Sequence, residues 1–390
     1  MTALLSLSLF SLAILLALPC AYLALLTLCS ARLRIPRPTN RNLRFDVFVP
    51  AHNEAQVIAR TVASLRQLDW PGYRIVVIAD NCSDDTAAVA RQAGADVIER
   101  QDATRRGKGY ALAFGFSQMS LSGADAAVVV DADTVVSPNL LAAFAARIET
   151  GAQALQANYG VLNPDDSWRT RIVTIAYGAF HAVRSRSRER LGLSCGLRGN
   201  GICLTRALLD EHPFNVYSMA EDLEYGVRLG LAGIRVHYVD EASADAELVS
   251  AERSARSQRQ RWESGRYAVA KRYAGPLLRR AIARRDPCAL ELALDLLTPP
   301  IGYLGAGAVI LAALAGAGIA LGLSANWLLV AILFVAILAA HVLRGWQLCP
   351  LGGRALLSLA YAPLFVIWKI ITLIRQRGNR DWIRTDRDKP

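Results

Sequence analysis

No two of the seven cysteines stand in a CxxC spacing, and their odd number rules out a complete set of pairs. Cys20, Cys29, Cys82, Cys195, Cys203, Cys288 and Cys349 therefore support neither a zinc site nor a disulfide framework, and a reduced, cytoplasmic main domain follows. Charge is missing altogether from residues 3 to 31, a run of mostly Leu, Ala and Ser long enough to cross about 30 Å of hydrocarbon. No basic residue precedes that run, and it is longer than the apolar core of a signal peptide, so it reads as a membrane anchor. Acidic residues are outnumbered, leaving a net charge of +11. A basic nucleic-acid surface would give the same sign, but the arginines gather beside apolar segments, as the positive-inside rule requires. The apolar fraction of 53% and the positive mean hydropathy are high for a soluble chain, and the excess sits at the two ends.

Arg32, Arg34, Arg37, Arg41 and Arg44 follow the first apolar run, which places the downstream side in the cytoplasm and the N-terminus outside. Strands and helices then alternate. Strands are expected at 45–50, 73–80, 95–98, 128–130 and 202–205, and helices at 54–68, from 85, at 108–119, 138–149, 169–190 and from 221. This alternation predicts an α/β fold with a mostly parallel sheet.

The stretch Val128-Val-Val-Asp131-Ala-Asp133 is the focus of that pattern. Three consecutive valines lack the polar alternation of a half-exposed strand and predict a buried parallel one. Ligands of open α/β sheets bind beyond the carboxyl ends of the strands, where Asp131 and Asp133 stand. Two hard oxygen donors there suit Mg²⁺ or Mn²⁺ shared with substrate phosphates, although an Asx-turn after a strand has the same spelling. Asp80 also ends a strand, so one sheet edge collects carboxylates, which is unfavourable unless a cation or donor groups meet them.

Val49-Pro-Ala-His-Asn-Glu54, Ala79-Asp-Asn-Cys-Ser-Asp-Asp-Thr86, Arg106-Gly-Lys-Gly109 and Asp131-Ala-Asp133 resemble the inverting family 2 glycosyltransferases of GT-A fold. Ala220-Glu-Asp222 and Gln258-Arg-Gln-Arg-Trp262 are similar to the ED and QxxRW motifs of its membrane-integrated branch. Cellulose, hyaluronan and poly-N-acetylglucosamine synthases and ceramide glucosyltransferases belong to that branch. The resemblance spans roughly residues 45 to 270. It implies that Pro50, Ala51, Asn53 and Glu54 line a nucleoside pocket and that Asp80 accepts hydrogen bonds from the base. Lys108 would lie near the diphosphate, Asp133 on the metal, and Asp131 beside it toward the ribose or sugar. Asp222, next to Glu221, would be the catalytic base. Gln258, Arg261 and Trp262 fall within about one helical turn and can share one site; the guanidinium suits a diphosphate and the indole a sugar face. Gly199, Asn200 and Gly201 are implied acceptor contacts. Taken singly, Glu54, Glu221 and Asp222 are also ordinary helix N-terminal acids, and Lys108 an ordinary surface charge.

The helix expected at 169–190 carries six arginines and His181, and fits either the anionic membrane surface or a charged face of the soluble domain. Residues 301–323 and 327–343 are each long enough to span. The stretch 355–374 is a further candidate with basic residues on both flanks, so it is re-entrant or interfacial unless another crossing lies near 288–300. Residues 382–385 would pack on the cytoplasmic face.

The expected division is a membrane anchor at 1–34, a cytoplasmic GT-A domain at 35–249, a basic interfacial segment at 250–287, membrane helices at 288–375 and a basic tail at 376–390. The expected protein is an inner-membrane enzyme whose catalytic domain faces the cytoplasm. Its partners would be a nucleotide sugar, by preference UDP-linked, and a glycan or lipid acceptor, with no nucleic acid. A processive synthase and a single-addition lipid glycosyltransferase both stay open, as does a catalytically silent nucleotide-sugar binder. A nucleotidyltransferase would share the sheet and acids but has no use for QxxRW.

Overall fold

The computed structural model describes residues 2–248 and 252–363, excluding the side chains of 120, 121 and 252–261. The chain forms two compact units. One contains Arg32–Asn163 and Arg188–Ala293, the other Met1–Ala31, Pro164–Ser187 and the chain from Leu294.

The first unit is built on one mixed sheet of β1 (Phe45–Ala51), β2 (Tyr73–Asp80), β3 (Asp96–Arg100), β4 (Ala126–Val129), β5 (Thr134–Val136), β6 (Ala154–Val161), β7 (Ile202–Thr205) and β8 (Val236–Ala246). Their spatial order is β3-β2-β1-β4-β7-β6-β8-β5. Strands β3, β2, β1 and β4 run parallel, as the alternation predicts. Beyond β4 the pairings with β7 and between β7 and β6 are antiparallel, β6 and β8 are parallel, and β5 closes the edge antiparallel to β8. The short β5 and the longer strands β6 and β8 went unrecognised in the sequence. Gln156, Asn158 and Tyr159 in one, and Asp240, Glu241, Ser243 and Asp245 in the other, break up the apolar runs that mark the remaining strands.

The valine strand is covered on both faces. Val128 and Val130 pack with Ile58, Leu140 and Phe144 on one side. Val129 packs with Phe48, Leu112 and Phe214 on the other. Alternate residues thus enter opposite cores, so every position is apolar until the chain leaves the sheet at Asp131. Arg147, on the helix Leu140–Ile148, makes a two-pronged ion pair with Glu241 of β8 at 2.6 and 2.9 Å, both side chains being buried. That pair anchors the helix to a strand which apolar patterning alone does not reveal.

The second unit holds three helices long and apolar enough to cross a membrane: Thr2–Cys29, Ile301–Ala320 and Asn326–Gln347. Arg344 donates to Ser30 Oγ at 2.9 Å and to the Ser30 carbonyl at 2.8 Å, satisfying backbone at the end of the first helix. The helical stretch expected at 169–190 runs from Trp168 to Arg190, with a widened π turn at Gly178–Val183. Its arginines correct the expectation. Arg184 and Arg188 are neither a solvated face nor a membrane-surface stripe but buried, paired with Asp295 at 3.0 Å and with Glu291 respectively. Those two acids lie on the helix Pro287–Leu297, which is too short to cross a membrane, so the stretch near 288–300 is not an additional span. Within 355–374, the described part belongs to a 3₁₀ helix over Gly353–Tyr361. The remainder, with 382–385, lies outside the described residues.

The expected segment 35–249 is not one compact unit, because Pro164–Ser187 packs with the apolar helices. Two glycines make that packing close. A β-carbon on Gly178 would overlap the Gly345 carbonyl oxygen, and one on Gly345 would stand 2.6 Å from the Ala179 nitrogen. Small residues at such a crossing let backbones approach, a recurring device between apolar helices. Gly345→Val should force them apart at a cost of roughly 1–3 kcal/mol. In detergent the melting temperature should fall by several degrees; an unchanged melt would disprove the close crossing.

Candidate functional site

The carboxyl ends of β1, β2 and β4 meet at one edge of the sheet. Pro50 and Ala51 end β1 in register with Ile78 and Ala79 of β2. The loops that follow are stitched together. Asn53, at φ +55°, accepts the Ser83 N–H at 2.7 Å, and the Glu54 N–H donates to Thr86 Oγ1 at 2.8 Å. His52 Nδ1 lies 2.8 Å from the Asp80 carbonyl oxygen. The Glu54 carbonyl accepts from Val57 and Ile58, a turn that delays the helix expected at 54–68 to Ile58–Leu65. Pro50, Ala51, Asn53 and Glu54 thus form one wall with the end of β2.

Asp80 is buried and has partners that the sequence reading missed. Arg100 Nη1 donates to Asp80 Oδ1 at 2.6 Å, and Asn81 Nδ2 donates to the same oxygen at 3.0 Å. Arg100 also reaches Asp102 Oδ2 at 3.2 Å, while the Asp102 N–H donates to Asn81 Oδ1 at 2.8 Å. The expected third strand stops at Ile98; extended by two residues in parallel register, it sets Arg100 opposite Asp80. That register was the available signal.

The second part of the site surrounds Lys108, the first residue of the helix Lys108–Ser117. Its ammonium donates to Asp131 Oδ1 and, at 2.6 Å, to the Gly199 carbonyl. Gly199, at φ +85°, lets its loop approach closely, since a β-carbon there would lie 3.1 Å from Asp222 Oδ2 and 3.8 Å from Lys108 Nζ. Glu221 and Asp222 open the helix Glu221–Ala232. Lys108, Gly199, Glu221 and Asp222 share a small pocket with apolar Leu112 and Phe214. This poorly solvated setting pushes the Glu221 carboxyl up to about 7, with the neighbouring Asp222 charge adding to burial and Lys108 opposing both. Burial also raises Asp222, again against the pull of Lys108. Burial alone would depress Lys108, but Asp131, Glu221 and Asp222 outweigh it and hold the ammonium above its ordinary value. Three carboxylates around one ammonium leave a local excess of negative charge.

Asn200 is fully buried rather than facing a ligand. Its Oδ1 accepts the Asp131 N–H at 3.1 Å and its Nδ2 donates to Thr134 Oγ1 at 2.9 Å, bracing both sides of the Asp131–Asp133 turn. Gly201, at φ +67°, bonds its N–H to the Val129 carbonyl at 3.0 Å, and a β-carbon there would press on Ala244 and Ala157. Of the three residues expected as acceptor contacts, Asn200 and Gly201 sit in packing and Gly199 borders the pocket. Asp133 is partly exposed just past β4. Among the described residues no cluster of three or more metal-ligating side chains occurs. Two carboxylate residues, one already paired to Lys108, fit a hard divalent cation that takes its other ligands from phosphate oxygens and water.

The glycine of the Lys108 turn that permits close approach is Gly109, whose β-carbon would overlap the Val216 carbonyl oxygen. Tyr110 then stacks on Tyr217 with centroids 4.1 Å apart. The helix Glu252–Arg284 passes the start of Glu221–Ala232, where a β-carbon on Gly265 would stand 2.9 Å from Ala220 Cβ. Tyr273 donates to Glu224 Oε1 at 2.7 Å, locking the two helices. Trp262 lies one turn before Gly265 and is 38% exposed. The side chains of Gln258 and Arg261 lie outside those described.

A family model described as "Glycosyltransferase like family 2" matches residues 43–265. The chain is 23% identical over 246 residues to glucomannan 4-beta-mannosyltransferase 7 of Arabidopsis thaliana, covering 60% of this chain and 44% of that one. It is 26% identical over 220 residues to an N-acetylglucosaminyltransferase of Rhizobium leguminosarum bv. viciae, covering 53% and 51%. The chain thus spans about half the length of these curated relatives. Among solved structures, the mannosyltransferase PcManGT from Pyrobaculum calidifontis, in complex with GDP-Man and Mn²⁺, is similar with a TM-score of 0.54 and 19% identity. The likeness covers 89% of this chain and 99% of that one, and it shows a shared fold.

The raised Glu221 carboxyl makes a stability prediction with a definite sign. Its folded value lies above its unfolded one, so its favourable contribution is complete in acid and is lost as pH rises through about 7. Glu221→Gln should therefore melt several degrees higher than wild type under alkaline conditions, and the gap should close in acid. A gap that widens in acid would refute the burial of this charge.

Proposed function

Because this chain belongs to the family described as glycosyltransferase like family 2, we propose that it is a membrane-bound inverting glycosyltransferase using a nucleotide sugar, preferentially UDP-linked. The observation that carries this reading is the meeting of Glu221 and Asp222 with Lys108, itself paired to Asp131, in one pocket with an apolar lining.

Asp222 takes the proton of the acceptor hydroxyl as that oxygen forms a bond to the anomeric carbon. The bond from that carbon to the diphosphate oxygen breaks from the opposite face, and the electron pair leaves with the nucleoside diphosphate. One displacement inverts the centre. Glu221, raised to about 7, shares the titration with Asp222, so near neutrality the pair holds a proton while keeping a basic oxygen. Lys108 turns from Asp131 toward the departing diphosphate, and Asp131 faces the ribose or sugar. Asp133, with Asp131 beside it, would hold Mg²⁺ or Mn²⁺, which supplies positive charge for the developing diphosphate. Pro50, Ala51, Asn53, Glu54 and Asp80 bind the nucleoside. Gln258, Arg261 and Trp262 complete the donor site from the helix beside Glu221, and Gly199 borders the acceptor.

The acceptor is a glycan or lipid at the membrane. The three apolar helices support membrane attachment, and the arginines from Arg32 onward support a catalytic unit on the cytoplasmic side of the inner membrane. Membership of the synthase and ceramide glucosyltransferase branch rests on the ED and QxxRW motifs. Mass spectrometry of the product separates its two modes: a ladder of masses marks a processive synthase, and one added sugar marks a single-addition lipid glycosyltransferase.

With Mn²⁺ and a panel of UDP-sugars, the protein should release UDP. Asp222→Asn should lower kcat by about 10²–10⁴-fold while leaving UDP binding intact. The base acts ionised and burial raises its carboxyl, so on acidification kcat/KM should begin to fall at a pH above the ordinary carboxylate range. Wild-type turnover in Asp222→Asn would remove this residue from the base role, and absence of turnover with every nucleotide sugar would sink the assignment.

A further inference from the structure

Glu221 and Asp222 stand in the first turn of the helix Glu221–Ala232, where backbone N–H groups have no partner within the helix. Among the described residues no side chain caps that turn, since the N-cap position is held by Ala220. An uncapped turn that carries buried acids has to be held from outside the helix.

The helix Glu252–Arg284 holds it. The two helices run side by side in the same direction and touch at three places in the same order. A β-carbon on Gly265 would stand 2.9 Å from Ala220 Cβ. Tyr273 donates to Glu224 Oε1 at 2.7 Å. Arg280 Nη1 donates to the Leu231 carbonyl at 2.8 Å, and is itself held by Asp286 at 2.6 Å. The first and last contacts fix the separation and the angle of the helices. The middle one grips a polar side chain between them, so it resists rotation of the Asp222 helix about its own axis.

Glu224 is buried and ionised. Burial alone would raise its carboxyl, but the bonds from Ser218 and Tyr273, with the charges of Arg272 and Arg228, hold it below its ordinary value. Burial and the Glu224 bond raise Tyr273, which therefore keeps the proton it donates. Arg272 reaches the same oxygen at 3.4 Å from a side chain 72% exposed, where solvent screens the pair. The hydroxyl of Tyr273 is thus the main grip. Glu224 stands about 200° round the helix from Asp222, so any rotation that shifts one shifts the other.

We propose that Tyr273 and Glu224 are positioning residues, whose bond sets the rotation of the helix that carries Asp222. This rests on the glycosyltransferase reading above, in which Asp222 is the base. The pair acts through Asp222 by fixing where its carboxylate meets the Lys108 and Gly199 side of the pocket. A β-carbon on Gly199 would come within 3.1 Å of Asp222 Oδ2, so the fit leaves little slack. A displacement of about 1 Å in such a site lowers the rate by up to about 100-fold. Trp262 lies one turn before Gly265 on the gripping helix, so the same bond ties the indole to the base.

Steady-state kinetics of the full-length protein with Mn²⁺ and the nucleotide sugar that wild type turns over best test the idea. Tyr273→Phe removes one hydroxyl and little volume. It should lower kcat by about tenfold or more, with KM for the nucleotide sugar and the Kd of the nucleoside diphosphate within about twofold of wild type. Glu224→Gln keeps an oxygen for the Tyr273 hydroxyl and should stay within about threefold of wild-type kcat. In Glu224→Leu the hydroxyl has lost its acceptor, so adding Tyr273→Phe should cost no more than about twofold further. A folded Tyr273→Phe that keeps wild-type kcat, even with a lower melting temperature, would make the bond structural only and overturn the proposal. Equal losses of kcat and nucleotide affinity, or additive losses in the double variant, would overturn it as well. A wild type that turns over no nucleotide sugar would overturn this inference together with the reading beneath it.

Discussion

A single ammonium group carries the electrostatic load of this site. Lys108 faces the carboxylates of Asp131, Glu221 and Asp222, which reach it from two separate parts of the chain. Without it, like charges would gather in a pocket whose apolar lining solvates none of them well. With it, Asp131 is paired while Glu221 and Asp222 remain raised, which divides the acids into two roles. Asp131 is held by the ammonium, and burial favours the protonated forms of Glu221 and Asp222.

The scaffold serves this arrangement by close approach. Strand β4 is packed on both faces and delivers Asp131 from a rigid edge. Buried Asn200 then ties the Asp131 backbone to Thr134, so the turn bearing both aspartates is held at its start and end. Glycines set the distances elsewhere. Gly109 brings the Lys108 helix against Val216, Gly199 admits its carbonyl to the ammonium, and Gly265 brings the Trp262 helix to the residue preceding Glu221. A side chain at any of these would push a charged group out of range. Site geometry and backbone packing are here the same constraint.

The unit that holds the apolar helices uses charge differently. Arg184 and Asp295 are buried as a pair, and Arg344 closes the end of the first apolar helix through Ser30. A cluster of arginines beside apolar segments thus has two fates, solvated flank or buried tie, depending on whether an acid elsewhere in the chain folds against it. Asp295 and Glu291 lie more than a hundred residues from their partners, and composition does not announce the match.

What the sequence determined by itself was local or periodic. The uninterrupted valines before Asp131, the alternation of strands with helices, the uncharged runs and the order of the short motifs depend only on near neighbours, and the α/β fold and apolar helices follow. Tertiary structure decided everything that needs distant chain to meet. It set β7 and β5 antiparallel to the rest of the sheet and inserted β6 and β8, whose polar residues hide their strand character. It gave Asp80 to Arg100, made Asn200 a buried brace of the Asp131 turn, and buried Arg184 and Arg188. It also set the protonation of Glu221 and Asp222. The physical reason is that burial and charge–charge distance fix an ionisable group's state, and neither exists until the chain has folded.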